Sequence, residues 1–180
     1  MKTPLLYGLL AAIADALLVL ALFFLGFHSD PAKLTVAKWV GGVLALAIAI
    51  VSMVAGIRAR RSEVPEKDGF GYGSALGAGV IITATTNVIY GIFYFVYLKF
   101  INPGFIDVML QDTMDKMAAK GITGAQADNV EKGVRFMLAP AVQFISQLII
   151  GTIFGVILVL IIAAFLKRVP KEGTLQPPAL

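Results

Sequence analysis

The chain has 180 residues, of which 58% are hydrophobic and 14% charged, with a formal net charge of +4, whereas soluble domains run at about 45–50% apolar and about 25% charged. A water-soluble protein of this size cannot hide so much apolar surface, so its solvent is expected to be lipid. The absence of cysteine excludes disulfides, thiolate metal sites and a Cys nucleophile, and a single histidine, His28, excludes bis-His haem ligation and a His-rich metal site.

A transmembrane helix needs about 20 mostly apolar residues, and four segments qualify. The first runs over about 4–27, with Thr3 as N-cap candidate and Pro4 at the first helical position. It carries Asp15 in its middle and is too long for a signal-peptide core. His28-Ser29-Asp30 then reads as a turn before Pro31. The second span covers about 36–57, the third about 74–98 and the fourth about 141–166. The connection between the third and fourth, about 102–137, is amphipathic. Ile106, Met109, Leu110, Met114 and Met117 fall on one helical face, and Asp107, Gln111, Asp112, Asp115 and Lys116 on the other. Pro103 marks where that helix could begin and Gly121 where it could end. Thr123 to Gln126 reads as a capping box opening a second helix, with Val130, Val134 and Met137 on one face. The expected fold is all-α and integral to the membrane: four transmembrane helices over residues 1–169, an outer amphipathic helical hairpin between the third and fourth, and a disordered cytoplasmic tail at 170–180.

Positive residues are retained on the cytoplasmic side. Lys2, Arg58, Arg60, Arg61, Lys67, Lys167, Arg168 and Lys171 lie on one side; Lys33, Lys38, Lys99, Lys116, Lys120, Lys132 and Arg135 lie on the other. The totals are nearly equal, so position decides: Arg58-Ala59-Arg60-Arg61 and Lys167-Arg168 abut span ends, whereas several of the opposing lysines sit deep in a long connection. Both termini are therefore expected in the cytoplasm. Trp39, Tyr94, Tyr97 and Phe100 then fall at the outer interface, and Phe70, Tyr72 and Phe165 at the inner one, as aromatic belts. The basic residues flank apolar segments and form no stripe interleaved with aromatics, so nucleic acid is not an expected partner.

Helices associate in lipid where small residues let backbones approach. Such stripes are Gly8, Ala11, Ala12 and Asp15; Gly42, Ala45, Ala49, Ser52 and Gly56; Gly73, Gly77, Ala84, Asn87 and Gly91; and Gly151 and Gly155 below Gln143 and Gln147. The polar residues Asp15, Asn87, Gln143 and Gln147 lie on these stripes and form the candidate intramembrane polar site. Asp15 is the one acidic residue within a span, and a charge there costs at least about 2.5–3.5 kcal/mol, so it needs a partner or a proton. Asn87 lies at similar depth, and an Asp15–Asn87 hydrogen bond is the expected clasp; a proton or cation site is the alternative. Gln143, Ser146 and Gln147 read as interhelical glue.

No nucleotide-binding, zinc-protease or serine-hydrolase motif stands on a suitable element. One intramembrane carboxylate cannot form an aspartyl pair. His28-Ser29-Asp30 joins three triad residue types, but consecutive loop positions cannot supply triad geometry.

Thr3-Pro4-Leu5-Leu6-Tyr7-Gly8, Gly26-Phe27-His28-Ser29, Gly56-Ile57-Arg58-Ala59-Arg60-Arg61, Phe70-Gly71-Tyr72-Gly73-Ser74-Ala75-Leu76-Gly77 and Phe100-Ile101-Asn102-Pro103-Gly104-Phe105 occur in an order and spacing that resemble the bacterial membrane family called domain of unknown function 4199. The resemblance implies a four-span protein of the bacterial inner membrane with a long third connection, and supplies no activity, cofactor or catalytic residue. The expected function is a non-enzymatic accessory or structural membrane component, without cofactors, that self-associates or binds another membrane protein. The alternative is a small transporter or channel using Asp15 as a proton or cation site.

Overall fold

Apolar runs of this length can satisfy their backbone hydrogen bonds without water only by coiling into helices, and the structure is helical nearly throughout. A computed structural model describes residues 2–168, so the expected tail at 170–180 lies outside the described residues. Six α-helices follow in order: α1 (Lys2–Phe24), α2 (Pro31–Ser62), α3 (Tyr72–Val96), α4 (Phe105–Ala118), α5 (Ala125–Leu138) and α6 (Pro140–Leu166). A short 3-10 turn (Glu66–Asp68) precedes α3, and a π-helical turn (Tyr97–Ile101) extends it. Helices α1, α2 and α6, and α3 together with its π turn, are each long and apolar enough to cross a membrane.

Several boundaries differ from the sequence reading for identifiable reasons. Helix α2 has 32 residues, about 48 Å at 1.5 Å per residue, because Asp30 caps it by accepting the Ala32 N–H at 2.9 Å and Pro31 occupies its first position. Thr3 does not cap α1; it lies inside the first turn, and its hydroxyl donates to a Glu63 carboxylate oxygen at the end of α2. Thr123 does not cap α5 either. Gly124, at φ +60°, takes the cap position and no side chain completes it.

Helix α3 is the centre of the bundle. It packs along α1 and α6, and α2 closes against α1 and α3 with looser contact to α6. At the end where α1 begins and α6 finishes, Met53, Ile57, Phe70, Ala75, Ala78, Ile82, Val159 and Ala163 form one buried cluster. At the hairpin end, Val19, Leu34, Tyr97, Leu98 and Phe105 form another. The buried face of α3 is Ala75, Ala78, Gly79, Ile82, Thr83, Asn87 and Gly91. Gly73, Gly77 and Ala84 are exposed, contrary to the expected stripe. The register is set by α6, whose Val159 side chain sits on Gly79.

Two of the expected belt aromatics are also inside: Tyr97 is fully buried and Phe70 nearly so, while Trp39, Phe100 and Phe165 are exposed. Phe70 is held because its N–H and C=O pair with the C=O and N–H of Arg168 at 2.8 and 2.7 Å. The Arg168 guanidinium donates to the Val64 carbonyl at 2.7 Å, and Arg61 donates to the Leu166 carbonyl at 3.2 Å. These two cations thus tie the α2–α3 connection to the exit of α6, where helix C-termini favour positive charge.

In the hairpin, α4 and α5 are unequal partners. Helix α4 buries Phe105, Leu110 and Asp112. Asp112, expected on the solvated face, lies inward between Lys38 of α2 at 2.8 Å and Lys116 at 2.7 Å. Burial pushes its carboxyl up, but hydrogen bonds from Lys116 and Lys38 outweigh this and hold it below the usual range. Helix α5 buries no residue and leaves Phe136 and Met137 exposed. Amide exchange should therefore be slow in the middle of α4 and fast through α5 in nanodiscs; equal, rapid exchange in both would contradict an anchored α4.

Candidate functional site

The interior of the four long helices contains a cavity of about 400 Å³. Its walls are assigned by helical periodicity. Asp15 comes from α1, one turn below Val19 and two turns from Leu22; Gly41, Gly42 and Ala45 come from α2; Thr86, Asn87, Tyr90 and Tyr94 from α3; and Gln147 from α6. Phe105 and Met109 of α4 and His28 from the α1–α2 turn close its hairpin end. An adjoining space of about 310 Å³ shares Asp15, Gly42, Ala45, Thr86, Asn87 and Gln147 and runs on past Ala49, Ser52, Thr83, Gly151 and Gly155. The space exists because α2 offers Gly and Ala where it faces α6, so two backbones that could be bridged by large side chains are not.

Asp15, Asn87 and Gln147 are thus brought together, and Gln143 is not. The Gln143 amide donates to the Met137 carbonyl at 2.8 Å, joining α6 to the end of α5. The expected Asp15–Asn87 clasp is not formed. Asn87 donates instead to Thr152 Oγ1 at 3.2 Å, linking α3 to α6. Gly151 explains why: a Cβ there would lie 2.8 Å from Asn87 Oδ1, so the glycine lets the amide lean onto α6 and away from α1. Asp15 Oδ1 is buried with no hydrogen-bond partner, and so is Thr83 Oγ1 on the wall of the adjoining space. Each such atom costs on the order of 1–3 kcal/mol when nothing satisfies it. Both side chains belong to residues lining this interior, and an unpaired buried polar atom calls for a physical explanation.

The hairpin end carries a second polar group that sequence reasoning missed. The six-residue run Phe23–His28 turns back through Gly26, which has φ +76° and allows Phe27 N–H to reach the Leu22 carbonyl at 2.9 Å. This returns His28 over the bundle, where it is 6% exposed. Its Nδ1 lies 2.6 Å from the Tyr97 hydroxyl, which also accepts from Asn102 Nδ2 at 2.9 Å. The His28 ring stacks on Phe105 with centroids 4.1 Å apart. The Asn102 N–H bonds to the Tyr97 carbonyl at 2.8 Å, so the π turn itself sets the distance between the two side chains. Burial lowers the His28 pKa to about 4, so the imidazole is neutral at pH 7. The sequence signal was present, a lone histidine after a glycine exit, but its partner is 69 residues away. Among the described residues no three His, Asp or Glu side chains converge as metal ligands would.

The described residues are all-helical, with four helices of membrane-crossing length and apolarity lining a half-open cavity that carries an unpartnered carboxyl, and this defines the class. Within that class the particular family is shown directly. The chain matches the family described as Protein of unknown function (DUF4199) over residues 6–168, and it belongs to that family. No curated protein and no solved structure matches the chain.

Proposed function

We propose that this is a non-enzymatic integral membrane protein whose four-helix bundle carries a cation or proton site around Asp15. The observation that carries the reading is Asp15, whose side chain lines a cavity bounded by all four long helices and whose Oδ1 is buried without a partner. A purely structural role for Asp15 would have rested on the Asp15–Asn87 clasp, and Asn87 is engaged with Thr152 instead. The alternative of a small transporter or channel is therefore favoured over an inert scaffold. An intramembrane ionisable group facing a cavity is the usual mark of an ion pathway.

Reconstituted into proteoliposomes, the protein should support Asp15-dependent proton or monovalent-cation flux. The Asp15→Asn variant, which keeps shape and hydrogen-bonding capacity, should fold normally and lose at least about nine-tenths of that flux. Unchanged flux in a folded Asp15→Asn variant would remove the residue from any pathway.

The proposal places the protein in the bacterial inner membrane with both termini cytoplasmic, supported by Arg58, Arg60 and Arg61 at one end of α2. Cysteines introduced singly at Ser62 and Lys120 into this Cys-free chain should label from opposite sides, with only the second reached by an impermeant thiol reagent in intact cells. Labelling at position 62 alone would reverse the orientation. Self-association is part of the same reading: Gly73 and Gly77, four residues apart on an exposed face of α3, have nothing within 4 Å of where a Cβ would stand.

A further inference from the structure

The cavity beside Asp15 has a composition that narrows what it can hold. Tyr90 and Tyr94, one turn apart on α3, both line it; their rings stack on each other with centroids 5.8 Å apart, and Tyr94 stacks in turn on Tyr97 at 5.9 Å, so Tyr90 is the end of the stack. The Asp15 carboxyl is within electrostatic reach of Tyr90. The other ionisable groups on the wall do not compete for Asp15. Lys38 is half exposed at the hairpin end and bonded to Asp112 at 2.8 Å, and His28, titrating at about 4, is neutral at pH 7. The remaining wall is mostly aliphatic, and a space of about 400 Å³ is far larger than a bare ion. The wall offers a single carboxylate among neutral oxygen groups from Thr86, Asn87 and Gln147, whereas a tightly held divalent cation draws on several carboxylate oxygens.

We propose that the cavity binds an organic ammonium ion, its charge paired with Asp15 and its alkyl groups seated against Tyr90 and the aliphatic wall. The inference rests on the reading of Asp15 as a cation or proton site and adds the chemical class of the ligand. A carboxylate supplies the counter-charge, and electron-rich ring faces attract a cation that is too weakly hydrated to prefer water. Apolar walls accept the alkyl groups that a hydrated sodium ion could not offer them.

The test is equilibrium dialysis of radiolabelled benzyltrimethylammonium against the full chain in nanodiscs, with the neutral isostere neopentylbenzene as competitor. Saturable binding of one ion per chain is expected, displaced by unlabelled benzyltrimethylammonium and not by the hydrocarbon. Asp15→Asn should weaken it at least about 10-fold, and Tyr90→Leu by about 3- to 30-fold, while Tyr90→Phe, which keeps the ring face, should retain it. Gln143→Ala, outside the cavity, should leave binding unchanged. Absence of saturable binding, displacement by the hydrocarbon, or binding that survives Asp15→Asn would each overturn the ammonium assignment. If Asp15-dependent proton or sodium flux persists without ammonium binding, the ligand class is wrong and the cation site stands; if neither is found, both readings fall.

Discussion

Acidification from pH 7 to pH 4 is expected to destabilise the fold through His28, by at most about 3 kcal/mol at 1.36 kcal/mol per pH decade. The folded imidazole titrates at about 4 because burial disfavours its charged form, against 6.5 in the unfolded chain. The folded state therefore binds fewer protons across that window. The contribution is fully present above pH 6.5, is lost progressively as the pH falls from 6.5 to 4, and changes no further below that. The geometry adds a reason for the cost. When Asn102 donates to the Tyr97 oxygen and the Tyr97 O–H donates to His28 Nδ1, the neutral ring is satisfied. A proton on Nδ1 turns that acceptor into a donor facing a hydroxyl that must give up its own donation. Thermal unfolding in detergent, measured from pH 7.5 to 4, should show a greater loss of stability on acidification in the wild type than in His28→Gln, and the difference between the two is the His28 contribution. Acid effects through Asp112, held below its usual range, belong to lower pH and should be common to both proteins. An identical slope in the two would overturn the assignment to His28.

The second large effect is expected at Gly8. A Cβ added there would stand 2.8 Å from the Ile82 carbonyl oxygen and 2.6 Å from Thr85 Cβ, neither of which is the free end of a flexible side chain. The Gly8 carbonyl also accepts from Thr86 Oγ1 at 3.1 Å, a bond that shares its donor with the Ile82 carbonyl at 2.9 Å. Gly8→Ala must therefore push α1 off the central helix, at about 1–3 kcal/mol for overpacking. The same substitution at Gly133 in α5, where a Cβ meets nothing within 4 Å, should be neutral or stabilising by up to about 1 kcal/mol. SDS-titrated unfolding of both variants reads the difference directly. Equal effects at the two sites would mean that the approach of α1 to α3 is not set by Gly8. Because Asp15 lies two turns along the same helix, a displaced α1 should also weaken any Asp15-dependent flux.

Four apolar runs of membrane-crossing length, the glycine and proline breaks between them and the amphipathic period of 105–118 were legible in the chain itself, because each depends on residues within a few turns of one another. The sequence also grouped Asp15, Asn87, Gln143 and Gln147; Asp15, Asn87 and Gln147 line one cavity, whereas Gln143 bonds to the end of α5. What the sequence could not decide was which face of each helix meets which neighbour. Successive residues are about 100° apart around a helix, so a small rotation of α3 exposes Gly73 and Gly77 and buries Gly79 and Thr83. That rotation, together with the glycine at position 151, hands Asn87 to Thr152 and leaves Asp15 unpartnered. The pairing of His28 with Tyr97 depends on a π turn that no periodicity signals, and the burial of Asp112 depends on Lys38 of a helix far away in sequence. Local hydrophobic length determined the elements; the rotation and approach of packed helices, which only long-range contacts fix, determined the site.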